Sequence, residues 1–311
     1  MILSVSRRTD IPAFYMQWFA NRLREGYVLV RNPMNPKKIS RIPLTEEVLD
    51  GIVFWTKNPL PMMPYLDKLS RHPFYIQLTA TSYSRDIEPN VPAKGEYIIP
   101  AARKIAAMFG TERIVWRYDP ILISPKYTVD YHKKYFRRMA EAFCGVTDQC
   151  TISFLDNYRG TEKRVSPLGI RAPEMSEIDE ILGSFSESAS EAGIIVKTCS
   201  ESADLEKYGV THASCIDKAR LERIIGCPLT LNPDKNQRQD CGCYESIDIG
   251  AYNSCLHGCL YCYANYIPSV IPKNMETHDL NSPVLFGEIS ESDTVTARPC
   301  RSLKAGQIGM I

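Results

Sequence analysis

The sequence predicts an α/β protein built on a parallel (β/α) barrel, TIM-like and partial or complete. Three observations predict it. Short apolar runs rich in β-branched and aromatic residues recur along the chain, longer amphipathic stretches separate them, and polar clusters follow the runs. Alternation of strand and helix at such intervals describes a parallel sheet, and runs with no polar face describe strands buried on both sides.

The strand candidates are 2–6 (ILSVS), 51–56 (GIVFWT), 74–79 (FYIQLT), 113–118 (RIVWRY), 150–155 (CTISFL), 194–198 (IIVKT) and 246–252 (SIDIGAY). Between them, 13–26 keeps its apolar residues on one helical face and stops at Gly26, and 96–110 stops at Gly110, each read as a left-handed helix end. Segments 128–143 and 174–193 carry the same helical pattern. Residues 31–43 form a hairpin or excursion, 157–175 a mobile loop over the rim, and the Pro-, Asn- and Asp-rich 227–245 an irregular segment.

The strand exits carry the chemistry. They read Arg7-Arg8-Thr9-Asp10, Lys57-Asn58-Pro59, Thr79-Ala80-Thr81, Arg117-Tyr118-Asp119-Pro120, Asp156-Asn157 and Lys197-Thr198-Cys199-Ser200-Glu201. In a parallel barrel those ends share one rim, and the rim holds the active site. Single positions have blander roles: Thr9 or Asp10 caps the helix before Pro12, and Arg117 pairs with Asp119. Six polar exits in succession exceed what helix capping explains. Arg117 is also suited to bidentate contact with a cofactor or substrate carboxylate. Arg117, Tyr118, Asp119 and Tyr83 are the candidates for catalysis near the rim.

Composition narrows the class. The 311 residues, 44% hydrophobic and 23% charged, suffice for one large globular unit, and 1–311 is read as a single domain containing a cysteine-rich metal-binding portion, 199–262. With no long apolar run and no leader-like start, the expectation is a soluble, cytoplasmic protein without a membrane partner. Lys+Arg 37 against Asp+Glu 36 gives a net charge of +1, which argues against a broad nucleic-acid surface.

Cysteine usage departs from this ordinary profile. There are 11, an odd number, none before Cys144, and five lie between Cys241 and Cys262. In a chain of this size that pattern reads as metal or redox chemistry. Cys255-Leu-His-Gly-Cys259-Leu-Tyr-Cys262 places three thiols on a short loop with Gly258. Four cysteines complete an iron–sulfur cube, whereas three leave one iron without a protein ligand. The competing reading is a zinc knuckle, with His257 or a distant cysteine as fourth ligand. Cys199, Cys215, Cys241 and Cys243 form a possible second site, an auxiliary iron–sulfur cluster or a four-cysteine zinc site. Cys144, Cys150, Cys227 and Cys300 have no motif partners and are read as packing residues. The five histidines show no metal-ligand spacing.

CLHGCLYCYA resembles the signature of the radical S-adenosylmethionine superfamily, C-x3-C-x-aromatic-C. Through SRRTDIPAF, FWTKNP, WRYDP and CGCYESIDIGAYNSCLHGCLYCYAN, nearly the whole chain resembles an uncharacterised bacterial domain-of-unknown-function family with a C-terminal cluster of that kind. The resemblance implies a [4Fe–4S] cluster on Cys255, Cys259 and Cys262, S-adenosyl-L-methionine on its open iron, a 5′-deoxyadenosyl radical that takes hydrogen from an unknown substrate, and an electron donor such as flavodoxin or ferredoxin. Tyr261 would lie beside the adenine, with Thr56, Lys57, Asn58, Thr79, Thr81 and Arg117 as further cofactor contacts. No Gly-Gly-Glu type segment is present. The superfamily motif follows the first barrel strand, whereas here it follows the last candidate strand, so the resemblance implies a circularly permuted radical S-adenosylmethionine core. The alternative is a non-catalytic iron–sulfur or zinc protein in electron transfer or scaffolding. YCYA and WRYDP also resemble spore photoproduct lyases, which would point to a nucleic-acid substrate.

Overall fold

A computed structural model describes residues 1–156, 161–199, 201, 205–238 and 241–305. The expected rim residues Asn157 and Ser200, and the start of the loop expected over 157–175, lie outside the described residues.

The strands are β1 (Ile2–Val5), β2 (Tyr27–Asn32), β3 (Asn35–Pro43), β4 (Gly51–Thr56), β5 (Phe74–Thr79), β6 (Ile114–Ile121), β7 (Gln149–Phe154), β8 (Ile195–Thr198), β9 (Thr211–His212), β10 (Ile247–Asp248) and β11 (Thr294–Ala297). Eight of them form one sheet in the order β10-β1-β4-β5-β6-β7-β8-β9, and every pairing in it is parallel. Among the described residues no pairing joins β9 to β10, and no closed barrel is found. No helix of the described residues is long and apolar enough to cross a membrane.

Both faces of the sheet are buried at β1, β4, β5, β6 and β7, by alternation along each strand. Leu3, Val5, Ile52, Phe54, Phe74, Ile76, Ile114 and Trp116 enter the larger core, while Ile2, Val53, Tyr75 and Val115 enter a second one with Cys215, Leu221 and Cys243. Aromatic packing fixes the helices of the larger core. Trp116 stacks on Phe136 and Phe143 of the helix Val129–Phe143 at 4.9 and 4.8 Å, and Phe136 stacks on Phe185 of the helix Met175–Glu191 at 3.6 Å. Side-chain caps start these helices: Thr128 accepts from Tyr131 N, and Glu174 and Glu177 make a reciprocal capping box.

Six of the seven strand candidates appear within about two residues of their expected bounds. The seventh, 246–252, pairs only at Ile247 and Asp248, because Asp248 accepts the Gly250 N–H at 3.0 Å and turns the chain away. The helix expected over 13–26 breaks at Tyr15 into Ile11–Phe14 and Met16–Glu25. That expected over 96–110 is α-helical from Ile99 to Phe109, and Gly110 ends it with a positive φ of 98° and ψ of 157°. The hairpin is longer than 31–43: β2 and β3 span Tyr27–Pro43 and join β11 in a separate three-stranded sheet. The part of 157–175 that is described contains helical turns at Glu162–Val165 and Ser166–Leu168.

Candidate functional site

The parallel register brings the C-terminal strand ends to one side of the sheet, where they line a cavity of about 490 Å³, within the size range of small-molecule sites. Its wall carries Arg7, Arg8 and Asp10 after β1, Lys57 after β4, Thr79 from β5, Arg117 and Asp119 from β6, Asp156 after β7 and Cys199 after β8. The expected shared rim is therefore present. Cys215, Cys241, Cys243, Cys255, Cys259 and Cys262 complete a set of seven cysteines on the same wall.

The loop bearing Cys255, Cys259 and Cys262 is fastened from several directions. Pairing of β10 with β1 delivers it to the sheet's C-terminal edge, and Asp248 accepts from Ser4 Oγ at 2.8 Å, Ser6 Oγ at 2.6 Å and Arg7 N at 2.8 Å. The loop closes on itself as Asn253 N–H donates to Ala264 O at 2.9 Å and Asn265 Nδ2 donates to Cys255 O at 2.7 Å. The segment 87–90 clamps its outer side: Leu260 N–H donates to Ile87 O at 3.0 Å, and Asn90 Nδ2 donates to Leu256 O at 2.8 Å. Gly258 takes a left-handed φ of 69°, the conformation the tight turn between Cys255 and Cys259 requires.

Burial pushes the Cys255 thiol well up and the Cys259 thiol up to about 12, with Lys57 pulling the latter the other way. Burial therefore favours the neutral thiol at both positions. Among the described residues no three His, Cys, Asp or Glu side chains are already drawn together tightly enough to hold a metal ion. The donor set is nonetheless the soft one: three sulfurs on one cavity wall, which suits iron–sulfur or zinc chemistry.

His257 lines the cavity with its Nε2 2.8 Å from Asp10 Oδ2, while its buried Nδ1 has no hydrogen-bond partner. Asp10 also accepts from Ala13 N at 2.9 Å and Lys57 N at 2.7 Å, so the expected helix cap doubles as the tie between β1, β4 and the cysteine loop.

The Tyr261 ring is buried against Tyr83, and its hydroxyl donates to Glu88. Lys57 Nζ donates to Tyr261 Oη at 2.7 Å and to Glu88 Oε1 at 2.8 Å, and Lys94 Nζ donates to Glu88 Oε2 at 2.6 Å. Burial alone would raise the Glu88 pKa, but Lys57 and Lys94 outweigh it and hold the carboxyl at about 2. Glu88 and Lys94 carried no motif; they lie far from Tyr261 in sequence and only the fold makes them its partners. Asp248 had a weak signal, a lone acid within an apolar strand-like run.

Arg117 is committed to Asp119, as the ion-pair reading expects. Its Nε donates to Asp119 Oδ2 at 3.0 Å, and Nη1 donates to Gln77 Oε1 at 3.3 Å and Cys215 Sγ at 3.0 Å. Asp119 is held below the usual carboxylate range; burial opposes this, but Arg117 and a hydrogen bond from Ser153 prevail. Burial pushes Glu201 up to about 7, although its Oε1 accepts Phe154 N–H at 2.9 Å.

Other expected site residues lie outside the cavity wall. Asn58 shapes the turn after β4, donating from its N–H to Thr56 Oγ1 and accepting from Leu60 N, while Thr56 itself lines the cavity. Tyr118 is buried between Ser82 at 2.6 Å and His132 at 2.9 Å. Tyr83 donates to Pro120 O at 2.8 Å, and Thr81 donates to Glu88 Oε1 at 2.8 Å. Of the four cysteines read as packing residues, Cys150 is buried and Cys227 and Cys300 are half-buried, whereas Cys144 is exposed at the end of its helix.

No curated protein and no solved structure matches the chain. A family match covers residues 2–264, from β1 to just beyond the last cysteine of the loop, and by it the chain belongs to the family described as Domain of unknown function (DUF1848).

Proposed function

We propose that this protein is a radical S-adenosylmethionine enzyme whose Cys255, Cys259 and Cys262 hold a [4Fe–4S] cluster. The observation that carries the reading is the placement of all three motif cysteines on the wall of the cavity that the strand exits surround. When bound, the cluster would supply an open iron and the electron that cleaves the sulfonium to methionine and a 5′-deoxyadenosyl radical.

The chain's own residues would do the rest. Arg7, Arg8 and Arg117 share the wall with Asp10, Asp119 and Asp156, a mixture suited to a ligand carrying both charge signs. The Glu88 carboxylate holds the Lys57 ammonium against the Tyr261 hydroxyl, which sets the Tyr261 ring and places a fixed positive charge beside Cys259. The apolar flanks of Trp55, Phe154 and Tyr261 reduce the water in contact with a reactive species. The same reading takes the sheet as a partial barrel, permuted so that the cysteine motif follows β10, the strand beside β1.

Anaerobic reconstitution tests the assignment. Iron and sulfide should load the wild type and fail to load a Cys255→Ala/Cys259→Ala/Cys262→Ala variant to the same level. Adding S-adenosylmethionine should alter the electron paramagnetic resonance spectrum of the reduced wild-type cluster. Equal iron in both proteins, or a spectrum indifferent to S-adenosylmethionine, would count against the proposal.

A further inference from the structure

The loop trio leaves four cavity cysteines without a role. All four line the same cavity wall, and two of their thiols touch: Cys199 Sγ lies 3.2 Å from Cys215 Sγ. The backbones that carry them are fixed independently. Tyr75 Oη and Gln77 Nε2 both donate to Cys215 O, at 2.6 and 2.8 Å, and Cys199 N–H donates to Ile152 O at 2.9 Å. Ser214 Oγ donates to Gly242 O at 2.6 Å, and Tyr244 N–H donates to Ile216 O at 3.2 Å, lacing the Cys241–Cys243 turn to the Cys215 segment.

Two guanidiniums share this wall. Arg117, paired with Asp119, also donates from Nη1 to Cys215 Sγ at 3.0 Å, and Arg7 has its Nε buried and without a hydrogen-bond partner. Such cations would offset negative charge brought by thiolates.

We propose that Cys199, Cys215, Cys241 and Cys243 bind one zinc ion, at a site distinct from the Cys255–Cys262 loop. Binding would convert four thiols to thiolates with release of four protons, leaving a complex of net charge −2 that Arg7 and Arg117 face. Spacing selects a single ion over a cluster. Tetrahedral sulfurs about 2.3 Å from zinc lie about 3.8 Å from one another, and the 3.2 Å between Cys199 Sγ and Cys215 Sγ is of that order. On an iron–sulfur cube each thiolate belongs to a different iron, and the sulfurs are held well apart. With four protein ligands the ion has no open position, so its role is to pin the turn before β10 to the end of β8 and the segment after β9.

The test is metal content of the full chain purified from zinc-supplemented medium, in three forms. Wild type and the Cys255→Ala/Cys259→Ala/Cys262→Ala variant should each retain about one zinc per chain, and Cys241→Ser/Cys243→Ser should retain less by more than about tenfold. To separate ligand loss from misfolding of that last variant, cobalt is added to metal-free wild type as well. Thiolate-to-cobalt charge-transfer bands and intense tetrahedral visible bands should develop and disappear when zinc displaces the cobalt. Zinc absent from wild type, zinc that follows the Cys255–Cys262 loop instead, iron and sulfide in place of zinc in the loop variant, or a cobalt spectrum without thiolate bands would each overturn the proposal. Failure of the radical reading leaves the zinc result untouched, since the loop variant carries it alone.

Discussion

Glu88 is almost wholly inaccessible yet ionised, and its two lysine partners and Tyr261 account for that state. Replacing it with Gln leaves Lys57 and Lys94 buried without a counter-charge, so E88Q should lose about 3–5 kcal/mol in urea unfolding at neutral pH. The pH dependence has a definite sign. The folded pKa is depressed from 4.5 to about 2, so the carboxylate's contribution is complete above about pH 4.5 and fades as pH falls toward 2. The gap between wild type and E88Q should close over that acid range; a gap constant with pH would show that Glu88 does not act through its charge. Gly250 is constrained by space. A Cβ there would lie 2.0 Å from Ser6 Oγ and 2.6 Å from Ser6 Cβ, whereas one at Gly95 would meet nothing within 4 Å. Thermal unfolding should show G250A destabilised by about 1–3 kcal/mol and G95A changed by less than about 0.5 kcal/mol.

At the scale of elements, the junction of β1 and β10 depends on Asp248, whose carboxylate gathers Ser4, Ser6, Arg7 N and Gly250 N. Asp248→Ala should cost about 2–4 kcal/mol, since it orphans several buried donors. Hydrogen exchange at Arg7 and Gly250 should quicken, while the β4–β5 ladder keeps its protection; uniform loosening of the sheet would contradict a local role. The central strands were legible in the sequence because their signal is their own burial: 51–56 and 74–79 match β4 and β5 at both ends. The edge elements were less so. The candidate 246–252 covers β10 but not its two-residue length, while β9, also two residues, and β11, exposed along its length, present no periodic apolar pattern.

For the whole molecule, the chemistry-bearing residues were legible where they recur at strand exits or sit in a spaced motif, as with Arg7, Lys57, Asp119 and Cys255. Their assembly was not. Cys199 and Cys243 share a cavity wall with Cys255 through parallel pairings that span the chain, and Glu88 reaches Tyr261 across 173 positions. Asn58 and Tyr118 show the converse: one follows β4 and the other lies within β6, but local turn geometry or the strand's other face takes each away from the cavity. The central claim is that the three loop cysteines serve radical formation in that cavity. Its most direct test is to incubate the anaerobically reconstituted, reduced protein with S-adenosylmethionine and measure 5′-deoxyadenosine by liquid chromatography and mass spectrometry. Wild type should release it and Cys255→Ala, Cys259→Ala and Cys262→Ala should not; cluster-loaded wild type that releases none would contradict the account.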